Sequence, residues 1–312
     1  MDYKFLSKLP FENAPFRHSL GLNKISEKDW FEINDPDERA FQMGEKRKFL
    51  SKIQDEVFMA EPSALKASEE VLKLMLKHLP KYHPNHYSLE DNYLFVKPHL
   101  GFEGEKWSTN IFSNGYHPLD LSARLVQEDL VIMLPTNNSF SNGQMQWHLK
   151  AGSVAFPSRW NLQEKFGKSM DMIHIPVPLY KEQIQQFVNQ FFNNMPINDI
   201  YERRNWSLYD SSKLRHDGKR LPDYNKQSSI NSENSGKRLW LRVERQTLKK
   251  LPISGGILFT IRIHLKQLNK IVKSKEIRKR LINALSALPP EIRAYKQTDK
   301  FTDSVLNYLN QQ

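Results

Sequence analysis

The 312-residue chain contains no cysteine. That absence removes disulfides, cysteine-ligated iron–sulfur clusters, thiolate-ligated haem, cysteine zinc sites and thiol nucleophiles. Any redox chemistry needs a bound cofactor held through nitrogen or oxygen, with electrons supplied from elsewhere. No apolar run reaches the roughly 18 residues a membrane-spanning helix needs. The N-terminal MDYKFLSKLP lacks the apolar centre and small-residue cleavage site of a secretory leader. A soluble, cytoplasmic protein is therefore expected. GxGxxG, P-loop, HExxH and GxSxG patterns are missing too, so the common nucleotide, zinc-protease and hydrolase signatures fail.

Hydrophobic residues make up 39% and aromatics 11% of the chain, too many for disorder and enough for a sizeable core. The net charge of +11 raises the question of nucleic acid. The charge is dispersed, however, with short runs only at EKRK (45–48) and KSKEIRKR (273–280). The second run reads as the solvated face of an amphipathic helix, with Ile277, Leu281, Ile282 and Leu285 behind it. A nucleic-acid reading rests on charge alone and predicts steeply salt-dependent binding. A basic surface equally suits an acidic electron-transfer partner.

Turn residues NDPDE precede a helical stretch near 36–56. In SEEVLKLMLKHL (68–79), Val71, Leu72, Met75 and Leu79 recur at helical spacing, with Ser68 as cap and Pro80 as stop. KYHPNHY (81–87) is a loop carrying His83 and His86. LSARLVQEDLVIML (121–134) is a compact apolar element with Gln127, Glu128 and Asp129 at its centre, to which the sequence assigns no role. TNNSFSNGQ is a turn or loop, and HLKAGSVAFPSRW reads as strand, turn, strand. IHIPV reads as extended, because residues before proline avoid the helical region. KEQIQQFVNQFFNNM is an amphipathic helix with Ile184, Phe187, Val188, Phe191 and Phe192 on its core stripe.

Residues 210–237 are polar and expected to form a mobile insertion. LWLRVERQT and ILFTIRIHL alternate strictly, and the connector LKKLPISGG is short enough for an antiparallel pair. One oily face and one face of arginine, glutamate, glutamine and histidine are expected. The whole reads as one α+β domain over 1–312.

Five strings carry more specific information: LVQEDL (125–130), FPSRW (156–160), IHIPVP (173–178), RNW (204–206) and RVERQTL (242–248). In this order and spacing they resemble the haem-dependent oxidative N-demethylase family, from about residue 15 to residue 308. The resemblance implies a PAS-like antiparallel sheet with flanking helices and a bound haem b. It implies oxidation of a small secondary or tertiary amine such as dimethylamine, with O2, releasing formaldehyde. Electrons would come from NADPH through a separate flavin and iron–sulfur reductase, which suits a cysteine-free chain. A PAS-like haem sensor without oxidase activity is the alternative reading.

With this resemblance in view, His174 is the candidate haem-iron ligand: a neutral imidazole among apolar neighbours, stiffened by Pro176 and Pro178. A core histidine is the competing reading, and His148 and His264 are competing ligands. Arg204 is assigned to the oxygen or substrate pocket and Glu244 to binding the protonated amine. Arg245, Trp160 and Trp206 are cofactor-binding candidates. Strand alternation puts Arg242 and Glu244 on one face and Arg245 on the other. A structural salt-bridge network is the alternative for these charges.

Overall fold

A computed structural model describes residues 16–33, 35–99, 101–136, 145–218 and 229–312. Ten strands are named in chain order: β1 (Asn23–Ile25), β2 (Phe58–Ala60), β3 (Tyr87–Glu90), β4 (Tyr93–Val96), β5 (Glu105–Ser108), β6 (Asp129–Thr136), β7 (Gln146–Ser153), β8 (Ile200–Tyr209), β9 (Trp240–Lys250) and β10 (Ile257–Gln267). Seven form one antiparallel sheet in the order β1-β8-β9-β10-β6-β7-β2, and β3-β4-β5 form a small second sheet. The principal helices are α1 (Pro36–Lys52), α2 (Leu65–Tyr82), α3 (Pro118–Leu125), α4 (Gln185–Asn194), α5 (Lys275–Ala287) and α6 (Thr302–Asn310).

Asp35 starts α1 by accepting from the backbone N–H groups of Asp37 and Glu38 at 3.1 and 3.0 Å, with Pro36 at the first helical position. In α2 the expected boundaries move outward. Ser68 is inside the helix, its Oγ donating to Ala64 O at 2.8 Å, and Pro80 is carried through to Tyr82. Val71, Leu72, Met75 and Leu79 are buried as their spacing predicts, packing in one core with Leu130, Ile132 and Leu258 of the sheet. On the opposite sheet face α4 buries Val188 and Phe192 against Val131, Met133 and Leu248. Phe187, expected on that stripe, is exposed instead. The C-terminal helices cover Leu208, Leu241 and Val243.

The β9–β10 hairpin forms as expected, but its register redistributes the faces. Arg242, Glu244 and Gln246 lie opposite Leu265, Ile263 and Ile261, whereas Arg245 lies opposite Arg262 and Val243 opposite His264. Both faces are therefore mixed. The QED triplet also acquires a role, because all three side chains are buried connectors. Gln127 Nε2 donates to Gln42 Oε1, Glu128 Oε1 accepts from Glu32 N, and Asp129 accepts from Ala155 N and Phe156 N, both at 2.9 Å. The buried ammonium of Lys46 caps the carbonyls of Ala123, Val126 and Glu128 and lies 3.8 Å from Asp129. These contacts tie α1 to the start of β6 and to the chain leaving β7. After β7 the chain forms no second long strand: Ser158 makes a single bridge to His216. Of the segment 210–237, residues 219–228 lie outside the described residues. Its described parts bury Leu214, His216, Ile230 and Ser235.

His78 is buried among Trp30, Phe31 and Tyr82, with ring centroids 5.1, 5.5 and 4.8 Å away, and neither ring nitrogen has a hydrogen-bond partner among the described residues. Burial pushes its pKa down to about 4, and likewise that of His83. The unfolded chain, with an ordinary value near 6.5, therefore takes up protons first as pH falls. Stability is fully present above about pH 6.5 and declines toward pH 4, by about 3 kcal/mol for His78 alone. In His78→Phe the urea midpoint is expected to fall less between pH 7 and 4.5 than in the parent. Parallel pH profiles in the two proteins would show that His78 is not the source of this pH dependence.

Candidate functional site

The central strands carry two chemically distinct faces. On the first, Arg204 pairs in register with Arg245, and Glu202 with Thr247. Arg204 Nε holds Glu202 Oε1 at 3.0 Å and its Nη2 lies 3.4 Å from Glu32 Oε1. Arg245 Nε binds Glu202 and sits 3.3 Å from Glu32, while its Nη1 and Nη2 donate to the carbonyls of Trp30 and Asp29. His264 Nε2 is 2.7 Å from Glu32 Oε2, and its Nδ1 is 3.6 Å from Glu38. Burial works against the Glu32 and Glu38 charges. The hydrogen bonds from His264 and the charges of Arg245, Arg204 and Arg262 nevertheless hold both carboxyls low, Glu38 at about 2. This is a salt-bridge network pinning residues 29–38 to the sheet. Arg245 has every guanidinium nitrogen engaged by protein, which corrects its expected place beside a cofactor.

The second face is partly open. Glu244, Gln246, Arg203 and Phe259 are only half-buried and Asn205 is exposed, although β9 has strands on both sides. Asn205 lies opposite Glu244, and Arg203 opposite Gln246. Glu244 is steadied by Arg242 Nε at 3.4 Å and Gln246 Nε2 at 3.1 Å. Arg242 is itself buried, donating to the carbonyls of Leu214 and Phe156. So the expected pair Arg204 and Glu244 is divided by the sheet. Arg203 is the arginine that shares a face with Glu244.

His174 ends a short helix, Met170–His174, where an extended run was expected. Ser169 Oγ caps that helix by accepting from Met172 N, and Ile175 keeps helical angles despite preceding proline. The imidazole is fixed twice. Its Nδ1 meets Met170 O at 2.8 Å, and the ring stacks on Tyr180 with centroids 4.5 Å apart and planes 10° apart. The carbonyl requires Nδ1 to carry the proton, so Nε2 keeps its lone pair, and it makes no hydrogen bond within the described residues. Burial lowers the His174 pKa to about 4, and the nearby charge of Arg203 pushes the same way. A neutral imidazole with its outer nitrogen open and its inner nitrogen hydrogen-bonded is the arrangement of a metal ligand.

The competing histidines are committed elsewhere. His148 Nδ1 meets Gly167 O at 2.9 Å and its Nε2 meets Gln146 Oε1 at 3.3 Å, while both nitrogens of His264 face carboxylates. Trp160 packs in the cluster that holds Met170, Ile173 and Val177, the apolar flank of His174. Trp206 is on the other face, buried against the C-terminal helices.

Among the described residues, no group of three or more His, Asp or Glu side chains is placed to hold a metal ion. Iron carried in a porphyrin already has four nitrogen ligands and asks the protein for one or two axial groups, a demand that a single open imidazole meets. Neither Arg203 nor Tyr180 was singled out by the sequence; the strand parity that puts Arg203 beside Glu244 is the signal that could have found it. No helix in the described residues is long and apolar enough to cross a membrane. A family model described as haem-dependent oxidative N-demethylase, alpha subunit-like, matches residues 21–306, nearly the whole chain. The chain belongs to the haem-dependent oxidative N-demethylase alpha subunit-like family.

Proposed function

We propose that this chain is the haem-binding subunit of an enzyme that oxidatively N-demethylates a small secondary or tertiary amine of the dimethylamine type. The observation that carries the reading is His174, a neutral imidazole with a free Nε2, in a chain of this family. In this reading the sheet would be used in the PAS-like manner, and His174 would hold haem b through its open Nε2, with Trp160 in the apolar wall of the site. The bound haem supplies O2 activation. Balance requires that one N-methyl group, O2, two electrons and two protons give formaldehyde, the shortened amine and water. The electrons are assigned to NADPH, delivered by a separate flavin and iron–sulfur reductase; the alpha-subunit family name supports a partner.

The chain's own residues have three tasks. Glu244, held by Arg242 and Gln246, accepts an N–H of the protonated amine in a charge-assisted hydrogen bond. Arg203 brings positive charge to the surface that His174 and Tyr180 share, the part that the sequence assigned to Arg204. Tyr180 stacks on the imidazole and fixes its direction.

The test is the visible spectrum after haem reconstitution, with and without dimethylamine. A stoichiometric Soret band that shifts with amine is expected. In Glu244→Gln the haem stays bound and the amine-induced shift is lost. A normal amine response in that variant removes Glu244 from the substrate site. Haem that binds and ignores every amine favours a sensor.

A further inference from the structure

Arg159, in the string FPSRW, has a backbone φ of +61°. This left-handed conformation is uncommon for residues other than glycine and persists only where the surroundings impose it. Here they do: Arg159 N donates to His216 O at 2.6 Å and His216 N to Pro157 O at 3.0 Å. The side chain is laid across β8, with the guanidinium carbon 4.0 Å from the centroid of the Tyr209 ring. Nη1 and Nη2 make long hydrogen bonds to Ser207 Oγ and Leu208 O, at 3.3 and 3.4 Å. Nε makes none, and among the described residues no carboxylate comes within ion-pair distance. Burial works against the charge of Arg159 and so does Arg242; Tyr209, Tyr295 and Asp210 favour it without an ion pair. Charges withdrawn from water are normally paired, so a half-buried guanidinium without a carboxylate is prepared for one.

Its position ties it to the half-open face. Ser207 lies opposite Arg242, one pair along from Asn205 and Glu244 and two from Arg203 and Gln246. These odd positions of β8 share one side of the sheet, with Ser207 about 7 Å along the strand from Asn205. The Tyr295 ring, 46% exposed, interacts electrostatically with both Glu244 and Arg159. Trp160, the next residue, packs with Met170, Ile173 and Val177 beside His174.

We propose, resting on the haem reading above, that Arg159 receives a carboxylate on this face: a propionate of the haem, or a carboxylate carried by the amine substrate. Nε and the second hydrogens of Nη1 and Nη2 remain to donate, enough for the two parallel bonds that a guanidinium makes to a carboxylate. The short step along the strand from the Glu244 pair suits an N-methylated amino acid, whose ammonium meets Glu244 while its carboxylate meets Arg159.

The full chain is titrated with haem and with haem dimethyl ester, in which both propionates are blocked. The haem-loaded chain is titrated with dimethylamine and with N,N-dimethylglycine, all followed at the Soret band. If a propionate is the ligand, the parent binds the ester about tenfold or more weakly than haem, and Arg159→Asn binds the two alike. If the substrate carries the carboxylate, the parent binds N,N-dimethylglycine about tenfold or more tightly than dimethylamine, and Arg159→Asn loses that preference. Asparagine tolerates the left-handed backbone, so this variant should keep the parent's far-ultraviolet dichroism and Tm. Should it not fold, Arg159→Lys decides, because it keeps the charge, loses the fork and should lose part of the preference. Haem that binds the parent with neither preference, or a preference undiminished in the variants, overturns the carboxylate site and leaves the haem reading in place. No saturable haem binding overturns both.

Discussion

Arg245→Met is expected to lower the free energy of unfolding by about 3–5 kcal/mol, because it strands buried carboxylates without a counter-charge. Arg245 bonds Glu202 and two carbonyls and lies 3.3 Å from Glu32, with a side chain that is 1% exposed. Methionine fills much of the same volume, so packing changes little and the missing charge dominates. Glu202 keeps Arg204 and Glu32 keeps His264, which sets the loss below complete unfolding. Urea denaturation followed by circular dichroism measures it. A loss under about 1 kcal/mol, the range of exposed pairs, would mean that the network is hydrated and contributes little. Arg245→Lys should recover only part, since one ammonium cannot reach Glu202 and the carbonyls of Trp30 and Asp29 together.

This network also shows where sequence reasoning holds and where it stops. Alternation is a property of one strand, and it correctly separates Arg245 from Glu244. Register is a property of two strands, and the hairpin depends on its connector. Six residues, Leu251 to Gly256, separate the paired Lys250 and Ile257. Even-numbered positions of β9 therefore face odd-numbered positions of β10. The polar positions are even in both strands, so they fall on opposite faces; a connector one residue longer or shorter would have brought them together. The same parity across β8 and β9 selects Arg203 over Arg204 as the neighbour of Glu244, but the long excursion between those strands hides it. The QED triplet is conspicuous as polar residues in an apolar run, yet its partners Glu32, Gln42 and Lys46 lie more than 80 residues away in sequence. In IHIPV the pre-proline preference is outweighed locally: the Ser169 cap and the Met170–His174 contact favour one helical turn.

His174→Ala is expected to have the largest effect on function: haem affinity falls at least tenfold, or the iron changes spin state, while the fold is kept. The fold should survive because Met170–His174 is a surface turn and the imidazole hydrogen-bonds only its own helix. The ligand reading rests on three physical conditions met together. The ring is neutral at pH 7, its orientation is fixed by Met170 O and Tyr180, and its Nε2 is uncommitted. His148 and His264 fail the third condition, and His216 spends its Nε2 on Lys213 O. The low pKa also has a sign: protonation competes with iron only near pH 4, so acid should not displace the ligand at pH 5.5, where an ordinary exposed histidine is mostly charged. Haem titrations of the parent and His174→Ala at pH 7.5 and 5.5, each repeated with added imidazole, test all of this. Imidazole should restore the parent spectrum in His174→Ala by occupying the emptied position. Unchanged spectra in His174→Ala, with a change in His148→Ala or His264→Ala, would move the axial ligand and the haem with it. No saturable haem binding by the parent would leave His174 as a stacked wall residue and remove the demethylase reading.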